Sequence, residues 1–138
     1  MAEGLTPGPI GLYATLPGPY GRVCRGRDRT VVELRGEIDI AATTPVGPCL
    51  DGITAIPAHQ VVVDLTRVDF FDCSGLALLC RAHRRTAEHG GRLWVVCDRP
   101  ATLRVFRAGG LRDTFRTLPT LAEALAVRDE PPPRADGA

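Results

Sequence analysis

The chain has 138 residues, 44% of them hydrophobic and 24% charged, with a formal net charge of +1. That length fits one domain with a core of its own. The near-zero charge gives no support for nucleic-acid binding, and no apolar run is long enough to span a bilayer.

In chain order, residues 1–21 are rich in Gly and Pro and show no periodicity, so they are expected to be mostly irregular. They also lack a charged-then-apolar signal pattern. Val23-Cys24-Arg25 reads as a short strand, residues 26–29 as a turn, and Thr30 to Arg35 as a better strand, rich in β-branched residues. Gly36-Glu37-Ile38-Asp39 leads out of it. Thr44 and Pro45 look like the N-cap and first turn of a helix weakened by Gly47 and Pro48. The continuous apolar run from Gln60 to Leu65 predicts a central strand buried on both faces.

The strongest helix signal runs from Gly75 to His89. Leu76, Leu79, Cys80, His83 and Ala87 follow helical spacing, and Arg81, Arg84, Arg85 and Glu88 form the other side. Leu78 falls on that arginine side and is expected to be an exposed apolar spot. Gly90-Gly91 stops the helix. Leu93–Cys97 reads as a strand, 100–108 as a helix and Thr114–Thr117 as a short strand. Thr120 to Glu123 is a capping box that opens a last helix. Residues 129–138 are a polar tail with prolines. The order β β α β α β α β α predicts an α/β domain over 22–128. It has a mixed sheet of about five strands, with helices packed on it.

Five scattered cysteines include no Cys-x-x-Cys and no Cys/His pair at zinc spacing. No metal and no cofactor are expected, and the reading is a reduced, cytoplasmic protein. No nucleotide-binding loop and no nucleophile elbow are present. Cys73 has no base on its own helix: His83 lies roughly 15 Å away at helical rise. An enzyme is therefore not expected. Residues 30–72 hold Arg35 and Arg67 against seven carboxylates, whereas residues 92–128 hold seven arginines against three. Such asymmetry either orients a partner or cancels on folding.

Between the runs of 61–71 and 76–79 stands Asp72-Cys73-Ser74-Gly75. Asp72 is placed to cap the helix by accepting from the amides of Ser74 and Gly75. The same free amides would welcome an anion, such as a phosphate on a hydroxyl in this turn.

Leu34-Arg35-Gly36-Glu37-Ile38-Asp39, then residues 61–66, then Phe71-Asp72-Cys73-Ser74-Gly75-Leu76, then Gly90-Gly91-Arg92-Leu93 together resemble the STAS domain. The similarity is greatest to the single-domain anti-sigma factor antagonists of bacteria. Residues 100–106 with Gly109-Gly110-Leu111 are similar to the family's third helix and its end. The resemblance implies the STAS fold and a role in binding rather than catalysis. The partner it implies is an anti-sigma factor of the histidine-kinase-like ATPase type, a serine kinase whose capture frees a sigma factor. It further implies a phosphatase that reverses phosphorylation of the antagonist. The binding surface so implied is Glu37, Asp39, Asp72, Cys73 and Ser74, with Leu78 beside it. The family phosphorylates the residue after the aspartate, and here that residue is Cys73. Three readings stay open: Ser74 accepts phosphate instead, the protein is not switched, or Cys73 senses redox state. The alternative role is a non-switching STAS subunit of a larger signalling or transport assembly.

Overall fold

A computed structural model describes residues 6–8, 11–111 and 113–126. Its sheet has six strands in sequential order: β1 (Thr6–Gly8), β2 (Gly11–Thr15), β3 (Gly21–Arg25), β4 (Arg29–Ile38), β5 (Gln60–Phe71) and β6 (Arg92–Val96). The first three pairings are antiparallel, and β4–β5 and β5–β6 are parallel. The parallel pairs need crossovers, which the helices supply. Helix α1 (Thr43–Thr54) crosses from β4 to β5 and α2 (Cys73–Glu88) from β5 to β6, and α3 (Pro100–Ala108) and α4 (Leu121–Ala126) follow the last strand.

Alternation along the strands sorts the core into two layers. Val32, Leu34, Val61, Val63, Leu65 and Val95 face one side and pack with residues of α1, α2 and α3, among them Val46, Leu50, Leu76, Leu79 and Phe106. Val31, Val62, Trp94 and Val96 face the other side, where Ala124 of α4 covers them. Strand β5 is thus buried on both faces and has neighbours on both edges, as its unbroken apolar run requires.

Four expectations are corrected. The segment before residue 22 is not mostly irregular: β1 and β2 extend the sheet, and Leu16 is buried in the main core. Pro7 is admitted because β1 is the edge strand of the sheet, where a missing N–H costs little. Thr44 is not a cap. Asp39 caps a 3-10 turn over Ile40–Ala42, and α1 follows from it directly, with Thr44 inside. Residues 114–117 form no strand, because Phe115 turns into the core against His83 and Phe106. Only Leu118 bridges to Val96, through backbone bonds of 2.9 Å on either side. Leu78 is 8% exposed and belongs to the core. The capping box is as expected: Thr120 and Glu123 exchange bonds of 2.9 and 3.2 Å. The tail at 129–138 lies outside the described residues. No helix among the described residues is long and apolar enough to cross a membrane.

Candidate functional site

The parallel strands β4 and β5 end side by side, with Ile38 opposite Phe71. Each is followed at once by an aspartate in extended conformation. Asp39 (φ −123°, ψ −162°) accepts from the Ala41 amide at 3.0 Å and starts the 3-10 turn. Asp72 (φ −124°, ψ −165°) accepts from the Ser74 amide at 2.8 Å and, at 3.4 Å, from that of Gly75, and starts α2. The carboxyl ends of parallel strands are where open α/β sheets place their sites.

Two bulges aim the side chains at this end. Between Glu33–Asp64 and Arg35–Arg67, β5 spends one residue more than β4, and it does so again between Gly36–Val68 and Glu37–Phe70. Each extra residue reverses the inward parity. Val61, Val63 and Leu65 point to the main core, then Val68, then Phe71. Phe70 is left outside, half exposed. Gly36 sits at the second bulge with φ +76°, a conformation that side chains disfavour.

Helix α2 explains the rest. Asp51 of α1 bonds Arg81 through two contacts of 2.8 and 3.1 Å and lies 3.4 Å from Arg85. A Cβ at Gly47 of α1 would touch Leu78 at 3.7 Å. Positions 78, 81 and 85 therefore face α1, and Ser74, one turn before Leu78, heads the same stripe. Ser74 is half-buried, whereas Cys73, rotated about 100° from it, is exposed with Ala77 and Arg84. The hydrogen bond from Arg81 holds the Asp51 carboxyl below its usual range. The arginine side is thus partly a seam between helices, and Leu78 lies beneath it instead of on the surface.

Of the six residues singled out from the sequence, Glu37, Asp39, Asp72, Cys73 and Ser74 gather at this end of the sheet. Leu78 does not reach the surface there. Among the described residues, the exposed large apolar side chains are instead Ile40, 71% exposed, and Phe70, 50% exposed. Phe70, Cys73 and Leu76 line a shallow groove with Val105 and Ala108 of α3 and Gly109 at its end. The bulges hid Phe70 from period-two reading, and Ile40 was hidden by the unexpected 3-10 turn. Neither His83 nor His59 stands near Cys73. His83 packs edge-on against Phe115, and His59 is buried at the start of β5 with Thr30, 2.7 Å away. That is the opposite end of a twelve-residue strand. Among the cysteines, Cys24 and Cys97 are buried, Cys49 and Cys80 half-buried, and Cys73 is an exposed thiol. Burial pushes the thiols of Cys49, Cys80 and Cys97 up.

The STAS domain profile matches residues 22–124. The chain belongs to the STAS domain family. The anti-sigma-F factor antagonist RsfB of Mycobacterium tuberculosis is 28% identical over 95 residues, which cover 69% of this chain and 77% of RsfB. A crystal structure of an anti-sigma factor antagonist from Mycobacterium paratuberculosis superimposes with a TM-score of 0.71 at 28% identity, covering 91% of this STAS chain and 100% of the other. The Bacillus cell fate determinant SpoIIAA in its phosphorylated form shares the fold, with a TM-score of 0.61 at 24% identity over 75% of this chain and 95% of its own.

Proposed function

We propose that this STAS protein is an anti-sigma factor antagonist that works without a phosphorylation switch, by binding and not by catalysis. It captures an anti-sigma factor of the histidine-kinase-like ATPase type and so frees a sigma factor. The relatives named as antagonists support the role, and the carboxyl ends of β4 and β5 offer the surface. The observation that carries the second half is the arrangement of the first turn of α2. The position directly after Asp72 is the exposed one, and it holds a thiol. The neighbouring hydroxyl of Ser74 belongs to the stripe that faces α1. A kinase that reads the exposed position finds no hydroxyl there. The protein then stays competent while a serine-bearing relative would be turned off, and no phosphatase is needed to restore it.

The test is a titration of purified protein against each anti-sigma factor of this type from its own bacterium. Each is preloaded with a fluorescent sigma factor, and anisotropy is read with and without ATP. Release of sigma at equal protein concentration in both conditions is expected. Release that fades with time in ATP contradicts the unswitched reading. Failure to bind any of these factors contradicts the antagonist role and favours a scaffold subunit.

A further inference from the structure

The groove beside Cys73 has a composition that a phosphorylation turn does not require. Phe70, Cys73 and Leu76 form one wall, and Val105 and Ala108 of α3 form the other. Phe70 is half exposed although it is a large aromatic side chain. A free cysteine behaves as a small hydrophobe. With cysteine at position 73, the lining from Phe70 to α3 is apolar apart from Asp72. Serine there would interrupt it with a hydroxyl, and phosphoserine with about two charges.

We infer that this groove receives an apolar side chain from a basic segment of the anti-sigma partner, with Cys73 serving as an apolar contact. The assignment rests on the antagonist reading given above. Charge complementarity decides the occupant. Asp72 lines the groove, Glu37 stands opposite Phe70 in the β4–β5 ladder, and Asp39 follows two residues on. Ile40, next in the chain to Asp39, is a second exposed large apolar side chain. Arg104, exposed and next to Val105, lies towards the α3 side. The basic end of the bound segment therefore lies over Asp72 and Glu37, and the apolar side chain enters towards Val105 and Ala108. Central apolar anchors ringed by polar groups are where interfaces concentrate their affinity.

The experiment measures the affinity of four proteins for the anti-sigma factor found by the titration above, without ATP and under reducing conditions. They are the wild type, Cys73→Ser, Cys73→Val and Phe70→Ala. Melting temperatures are measured alongside, and both positions are exposed enough for the fold to survive. Burial of the thiol predicts that Cys73→Ser weakens binding about threefold and that Cys73→Val holds or tightens it. Phe70→Ala should lose about tenfold or more. Raising the salt should weaken all complexes, because the rim is charged. Binding by Cys73→Ser equal to wild type, or a loss in Cys73→Val as large as in Cys73→Ser, overturns the groove assignment alone. A titration that finds no factor bound by the wild type overturns the antagonist reading and removes this assignment with it.

Discussion

Asp39 and Asp72 hold equivalent places at the ends of neighbouring parallel strands, with backbone angles within a few degrees of each other, and each caps the helical turn that follows. They differ in what they cap. Asp72 opens a sixteen-residue helix, and Asp39 a three-residue turn. Replacing Asp72 with Ala leaves two amides of α2 unsatisfied and should cost about 1 kcal/mol. Asp39→Ala should cost less, because fewer aligned peptides end there. Urea denaturation of both variants checks the order; equal losses would show that helix length does not matter here.

Leu78 gives a prediction opposite to the one its position among arginines suggests. It is buried under α1, within van der Waals reach of Gly47. Leu78→Ala should destabilise by about 2–5 kcal/mol. Leu78→Asp should be worse, because its carboxylate would be buried without a partner. Thermal melting followed by circular dichroism reads both; a melting temperature close to wild type would return Leu78 to the surface.

Gly75 is required by its neighbour Phe71. A Cβ at position 75 would lie 2.6 Å from the Phe71 ring, closer than atoms can approach. Alanine favours helix by about 1 kcal/mol over glycine. Overpacking costs about 1–3 kcal/mol, so Gly75→Ala should lose stability on balance and push Phe71 away from Phe106, its stacking partner at 5.7 Å. Near-ultraviolet circular dichroism should register the aromatic shift, and an unchanged aromatic band with raised stability would refute this account of Gly75.

His59 makes stability depend on pH. Burial lowers its pKa from 6.5, and Arg25 adds to the shift while Asp28 opposes it. The folded state therefore binds fewer protons than the unfolded state in the interval between the two values. The stabilisation from neutral His59 is fully present above the unfolded pKa and is lost as pH falls through it towards the folded value. His83, also lowered by burial, acts in the same direction. Fluorescence of Trp94, the single tryptophan, follows unfolding. Its midpoint in urea should fall from pH 7.5 to 5.5, and less steeply in His59→Gln. A midpoint that rises on acidification would reverse the assignment.

The sequence made legible whatever depended on local signals. The cap at Asp72, the capping box at Thr120 and Glu123, the bounds of α3 and the two-faced burial of β5 all follow from residues a few positions apart. The misread features depend on non-local packing. Leu78 is buried because α1 lies over α2, and periodicity in α2 alone cannot show a second helix. Phe70 is exposed because β5 gains two residues against β4, and only strand pairing reveals a bulge. The strands β1 and β2 carry glycine and proline residues of the kind that mark loops elsewhere, and pairing of β2 with β3 overrides that composition. Five residues of the candidate surface were legible because they lie in two short motifs. Its apolar half was missed because Val105 and Ala108 come from a third element.

The central claim is that Cys73 removes the switch. The most direct measurement is intact mass with site mapping after incubation with the partner kinase and ATP, for the wild type and for Cys73→Ser. The account predicts no phosphate on the wild type and one phosphate on Cys73→Ser, at the restored serine. Phosphate on Ser74 of the wild type would contradict it and show the switch displaced by one residue instead of lost.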